Sequence, residues 1–169
     1  MSTAVEASKR AELEKTKKNF FRLILSDNDL SDVKRLKEVE PFLINKEVLA
    51  KLIWKTYYER PYGEMCNRVL GPGIKMGIYK ITNLENNMPY IGQSVNIRER
   101  WREHIKAGLG INSSNNRLYT AMKQFGPENF TFELLEECDR SQLNQKERYW
   151  IDFFHTEDFG LNSNKGVLK

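Results

Sequence analysis

Cysteine and histidine are scarce in this 169-residue chain. The two cysteines, Cys66 and Cys138, stand far apart with no C-x-x-C spacing, and His104 and His155 are the only histidines. A zinc ribbon or a disulfide framework therefore has nothing to stand on. No apolar run approaches the roughly 20 residues that span a bilayer, so no membrane partner is expected. The opening residues Met1-Ser2-Thr3-Ala4-Val5-Glu6 bring in an acid early and lack the apolar core of a signal peptide. A reducing, cytoplasmic compartment is the expectation. Internal repeats and low-complexity segments are also missing. Neither sign of charge dominates, with 27 Lys+Arg against 23 Asp+Glu, and 40% hydrophobic with 30% charged residues is an ordinary globular balance. Wholesale disorder and collagen-like architectures are thereby excluded.

The small surplus of +4 is unevenly spread. Residues 1–75 carry 15 basic and 11 acidic side chains, whereas residues 76–169 carry 12 of each. All the net basicity lies in the front part, which suits contact with an anionic partner as well as a solvated helical surface.

That front part reads as helical. Residues 5–25 mix Ala, Glu, Lys and Leu and end in Phe20, Phe21, Leu23, Ile24 and Leu25; Ser26-Asp27-Asn28-Asp29 is a turn. Asn45–Tyr58 has helical spacing with Trp54 and Tyr57 adding bulk, and Pro61-Tyr62-Gly63 is expected to break it. Gly71-Pro72-Gly73 breaks the chain again, so the domain boundary is placed at residue 75. Beyond it the texture changes. Met76–Thr82 and Pro89–Ser94 read as a strand hairpin around Asn83–Asn87. Asn96 caps a helix to about Ala107, and Asn115 or Asn116 starts another through Phe125. Phe130–Leu135 alternates as a strand, and Ser141–Phe154 is a final amphipathic helix. The order ββααβα predicts a small α+β unit behind an all-helical region.

Two helices carry an anomaly each. On the last one, Leu143, Trp150, Ile151 and Phe154 form an apolar stripe, and Glu147 falls in its middle. A carboxylate among apolar neighbours is costly unless it is paired or binds a metal. A structural ion pair and a metal ligand are both open at this point. On the helix after Asn96, Ile97, Trp101 and Ile105 recur every four residues as the core face. Arg100 and His104 stand one above the other along one flank, with Arg98 and Arg102 on the other. An Arg–His ladder can receive a phosphate, the guanidinium by charge and the imidazole by proton exchange. Internal ion pairs with Glu99 and Glu103 account for the same arginines equally well. The hairpin adds two tyrosines, Tyr79 in Gly77-Ile78-Tyr79 and Tyr90 in Tyr90-Ile91-Gly92. A phenol has a pKa near 10, so it needs a cationic or metal-bound neighbour to act as a base.

With these words in place the sequence resembles the GIY-YIG nucleases over about residues 76–164. The resemblance rests on Gly77-Ile78-Tyr79, Tyr90-Ile91-Gly92, Gln93-Ser94, Asn96-Ile97, Arg100-Trp101, His104, Asn116, Phe125-Gly126, Glu147, Trp150-Ile151 and Gly160-Leu161-Asn162. It implies a three-stranded, mainly antiparallel sheet flanked by helices that bring the arginine and the glutamate to one concave face. It also implies hydrolysis of DNA phosphodiesters, leaving a 5′ phosphate and a 3′ hydroxyl. Glu147 would hold one divalent cation per site, Mg²⁺ or Mn²⁺ in its place. Tyr79 would be the general base, helped by the cation or by His104, with Tyr90 on the phosphate or sharing the base role. Arg100 would neutralise phosphate charge, and Asn162 would orient the site. No small-molecule cofactor is implied. Some relatives carry a second histidine beyond the position of His104, where this chain has Asn112-Ser113-Ser114, and some carry a lysine before the second tyrosine, where Met88-Pro89 stand. Both absences place proton transfer on Tyr79 and His104. His155, past the helix end, is read as structural or surface.

The expected activity is a restriction-type or mobile-element endonuclease on double-stranded DNA. A repair or structure-selective nuclease, or a non-catalytic nucleic-acid-binding module of the same fold, is the alternative. Lys15, Lys17 and Lys18, with Arg98 and Arg102, are the candidate DNA contacts. Residues 1–75 are candidates for DNA contact, dimerisation or a brace on the catalytic unit; a double-strand cut by one site per chain calls for a homodimer or two encounters.

Overall fold

A computed structural model describes residues 4–8, 10–11, 46–111 and 116–163. Helix α1 (Lys46–Ile53) runs through a π-helical turn (Trp54–Tyr58) into α2 (Glu59–Leu70). The expected break at Pro61-Tyr62-Gly63 is absent, and those residues lie within α2. The π turn is the physical reason. Its widened backbone bonds Glu59 N to Trp54 O, and Pro61 then falls in the first turn of α2, where an N–H is dispensable. Tyr62, Cys66 and Leu70, four residues apart, form the buried stripe of α2. Gly71, at φ 69°, ends the helix where a break was expected.

Three strands follow the expected segments: β1 (Gly77–Asn83), β2 (Pro89–Ser94) and β3 (Phe130–Glu137). They form one antiparallel sheet in the order β2-β1-β3. Helix α3 (Ile97–Leu109) starts where the Asn96 side chain accepts a bond from Glu99 N, and α4 (Arg117–Phe125) where Asn116 does the same for Tyr119 N. Helix α3 outruns its expected end because Gly108 sits inside it, pressed against α4. A Cβ there would lie 2.7 Å from Met122 Cβ. A 3₁₀ turn at Arg140–Gln142 leads into α5 (Leu143–Phe154), and a short α6 (Thr156–Phe159) follows. Among the described residues, no helix is long and apolar enough to cross a membrane.

The central strand is buried on both faces. Tyr79 and Ile81 pack with Trp101, Leu118, Met122 and Phe132 under α3 and α4. Ile78, on the other face, packs with Ile91, Leu143 and Ile151 under α5. At roughly 25 cal/mol per Å² of apolar surface removed from water, these two clusters dominate the stability of so small a unit. Ala50, Ile53, Trp54, Tyr58, Tyr62, Cys66 and Leu70 belong to the first cluster. The α1–α2 helix therefore shares its core with the strand-bearing unit.

Candidate active site

The two tyrosines owe their placement to glycines. In the antiparallel register Tyr79 stands opposite Gly92 and Ile81 opposite Tyr90, so both phenols lie on the α3 side of the sheet. A Cβ on Gly92 would sit 2.3 Å from the Tyr79 hydroxyl, so only glycine leaves the ring room to lie across β2. Gly77 has the matching role against β3, where a Cβ would meet Glu136 O at 2.0 Å. The result is a fully buried Tyr79, at 0% exposure, with its ring 6.4 Å from that of the half-buried Tyr90.

His104 is buried as deeply, at 1% exposure, and not on an exposed helix flank. Its Nε2 lies 2.6 Å from the Tyr79 hydroxyl and its Nδ1 2.9 Å from the hydroxyl of Tyr119. Burial, reinforced by the Arg100 charge, pushes its pKa down to about 3, so the imidazole is neutral. Burial likewise raises Tyr79 well above an ordinary phenol, with Tyr90 adding to the rise and Arg100 opposing it. Tyr90 is raised to about 12 by burial, again against the pull of Arg100. Both phenols and the histidine therefore rest uncharged beside one guanidinium. Arg100 itself is 41% exposed at its side chain and pairs with Glu103 at 2.7 Å.

Glu147 comes from the opposite face. Helix α5 packs on the Ile78 side, and β2 is an edge strand, so groups from both faces can meet around that edge. Gln93 makes the link: its Nε2 donates to Glu147 Oε2 at 2.8 Å and to Asn144 Oδ1 at 2.7 Å. Partial burial raises the Glu147 carboxyl, while the Gln93 bond and the Arg100 charge restrain the rise. The Glu147 charge also adds to the rise of both Tyr79 and Tyr90. Leu143 and Ile151 fill the expected apolar stripe; Trp150 is half-buried and donates its indole N–H to Glu136 at 3.0 Å.

Among the described residues, no three His, Cys, Asp or Glu side chains gather as a metal cage. A single half-buried carboxylate suits a hard cation that keeps several waters and takes its other ligands from a phosphate. The donor set at Glu147 thus fits Mg²⁺ or Mn²⁺ and does not fit zinc.

Asn162 is 5% exposed and lies against the free edge of β2. It accepts from Ile91 N at 2.8 Å and donates to Ile91 O at 2.9 Å, as a neighbouring strand would. It thereby holds the backbone between Tyr90 and Gly92. Arg98 and Arg102 point away from these groups, into the seam with α2. Arg98 donates to Asn67 Oδ1 at 3.0 Å, and Arg102 pairs with Glu99 at 3.2 Å while lying over the Tyr62 ring. Lys15, Lys17 and Lys18 lie outside the described residues. His155 is exposed and ends α5 in the left-handed region.

Sequence reasoning gave no site role to Tyr119, or to Gln93 beyond its place in the family resemblance. Tyr119 is three residues before Met122 on the buried face of α4, which is a usable signal. Gln93 is an uncharged side chain whose partner Glu147 lies on a remote helix, so its place after the Tyr90-Ile91-Gly92 word does not by itself show what it holds.

Comparison with known proteins bears on the family and the fold. The family model for the GIY-YIG catalytic domain matches residues 75–162. The chain is similar to intron-associated endonuclease 1 of Enterobacteria phage T4, with 29% identity over 91 residues, 53% of this chain and 37% of that protein. It therefore spans well under half the length of that relative. It is also similar to a solved glutamate-to-alanine variant of the catalytic domain of intron endonuclease I-TevI. That match has a TM-score of 0.52 and 26% identity, over 57% of this chain and 100% of the other.

Proposed function

The chain belongs to the GIY-YIG catalytic domain family, and from that premise we propose that it is a divalent-metal-dependent endonuclease that hydrolyses phosphodiester bonds of double-stranded DNA. The observation that carries the proposal is the cluster of Tyr79 and Tyr90 with His104 of α3, the helix of Arg100, with Glu147 tied to the neighbouring edge strand β2 through Gln93. Intact chemistry of this kind favours an enzyme over a binding module that has kept only the fold. The intron-associated relative favours the mobile-element form of the reading over a restriction enzyme.

Each residue has one task in this reading. Glu147 would hold one Mg²⁺, or Mn²⁺ in its place, and Gln93 fixes the carboxylate. The bound cation would supply Lewis-acid stabilisation of the phosphate and of the leaving 3′ oxygen. Arg100, which never deprotonates, sets a positive charge where charge builds on the phosphoryl oxygens. Tyr90, half-buried, hydrogen-bonds the phosphate. Tyr79 takes the proton of the attacking water while its own proton passes to His104 Nε2, 2.6 Å away. In the free protein Tyr79 is closed off, so the water enters with the substrate from the side of Tyr90 and Arg100. Asn162 keeps the β2 backbone, and with it Tyr90, in register.

Incubating supercoiled plasmid with the full chain in Mg²⁺ and in EDTA, and mapping the ends, tests the proposal. Cuts in Mg²⁺ alone that leave a 5′ phosphate and a 3′ hydroxyl are expected. Cleavage unaffected by EDTA, or ends with a 3′ phosphate, would refute it.

A further inference from the structure

His104 has two ring nitrogens and two phenol partners, Tyr79 from β1 and Tyr119 from α4. A neutral imidazole carries one proton, so one nitrogen donates and the other accepts. Two arrangements satisfy the chain of bonds. In one, Tyr79 donates to Nε2 and Nδ1–H donates to Tyr119. In the other, Tyr119 donates to Nδ1 and Nε2–H donates to Tyr79.

The two distances decide between them. At 2.6 Å the Tyr79–Nε2 contact has the length of a bond with a hydroxyl donor, and at 2.9 Å the Tyr119–Nδ1 contact has that of a bond with an N–H donor. Tyr79 therefore gives its own hydrogen to Nε2. The proton of the imidazole is then on Nδ1, and Tyr119 accepts it. Tyr119 is held for this role at both ends: it is 5% exposed, and its backbone N–H is bonded to the cap residue Asn116 at 2.8 Å. Among the described residues the groups that face the imidazole are Tyr79, Tyr90, Arg100 and Tyr119, and none of them is a carboxylate.

We propose that Tyr119 is a positioning residue for His104, fixing the Nδ1–H tautomer so that Nε2 stands ready for the Tyr79 proton. The proposal rests on the nuclease reading of the site. In the reacting complex a water O–H bond breaks and its proton goes to the Tyr79 oxygen. The Tyr79 O–H bond breaks and that proton goes to Nε2. The hydroxide forms a bond to phosphorus with its electron pair; the P–O3′ bond breaks, and the 3′ oxygen leaves with that pair and takes a proton from solvent. His104 is now an imidazolium, favoured in the complex because the phosphate charge offsets the Arg100 charge that keeps it neutral in the free protein, and its Nδ1–H bond to Tyr119 becomes charge-assisted and stronger.

Imidazole ¹⁵N spectra of the full chain, free of metal and DNA, test this without any cleavage. Only His104 and His155 contribute, and His155→Ala assigns the signals. For His104 we expect Nδ1 in the protonated range and Nε2 in the unprotonated range. In Tyr119→Phe, which keeps the ring and removes the acceptor, both shifts should move towards mixed-tautomer values. In the plasmid assay the same variant should lose about tenfold in kcat with KM nearly unchanged. A protonated Nε2 in the unaltered chain, or spectra identical in Tyr119→Phe, would overturn the proposal. Should Tyr119→Phe fail to fold, the tautomer of the unaltered chain decides alone. Failure of the nuclease reading looks different: no cleavage by any form, whatever the spectra show.

Discussion

A histidine kept neutral between two phenols is the most telling residue of the site, and it ties chemistry to stability. His104 titrates near 3 in the folded chain, against about 6.5 for an exposed histidine. The unfolded chain therefore binds the extra proton first. The stability this lends is fully present above pH 6.5 and is lost as the pH falls from there towards 3, by up to about 1.4 kcal/mol per pH unit. Between pH 7 and 5 the loss amounts to about 2 kcal/mol. Urea unfolding at the two pH values should show this for the unaltered chain and a smaller loss for His104→Gln. Parallel losses in both would mean that His104 is not held neutral by the fold. Such burial was not legible in the sequence, where His104 sat on the flank of a helix laced with Glu99, Arg102 and Glu103. The sheet tyrosines Tyr79 and Tyr90, together with α4, which brings Tyr119 across it, close that flank.

Elements were legible where their causes are local. The hairpin, the caps Asn96 and Asn116, and the apolar ladder Ile97, Trp101, Ile105 fall where spacing and side-chain chemistry put them. The continuous α1–α2 helix was not legible, because Pro61 is a strong local signal and the π turn that accommodates it is secured by tertiary packing of Trp54 and Tyr58. The meeting of Glu147 with the tyrosines was half legible: its inward position shows in the helical period, but its link through Gln93 spans two elements remote in sequence. Gly92 offers the test at this scale. Gly92→Ala drives a methyl into the Tyr79 ring, which has His104 and Trp101 around it and no room to retreat. Overpacking of this kind costs about 1–3 kcal/mol, and the displaced hydroxyl should slow cleavage more than it weakens DNA binding. A chain with the substitution that melts and cuts as before would contradict the close approach of β2 to Tyr79.

Across the whole molecule, the α1–α2 helix and the sheet unit are built as one core. Tyr62 donates to Arg98 O, Arg102 and Lys106 lie over the Tyr62 and Trp54 rings, and Tyr58 bonds Glu128 beyond α4. Two arginines that the sequence offered as DNA contacts are thus engaged in holding α2 on α3. The catalytic claim rests on a few placed side chains within a charge-balanced half. Of these, Glu147 carries the most, since it is the carboxylate that would hold the cation. The decisive measurement is single-turnover cleavage of plasmid DNA in Mg²⁺ by the unaltered chain and by Glu147→Ala, with DNA binding measured alongside. The account predicts cutting by the first, and a loss of at least about a hundredfold in the second with binding retained. An unaltered chain that binds DNA and leaves it intact, or a Glu147→Ala chain that cuts at the same rate, would contradict it.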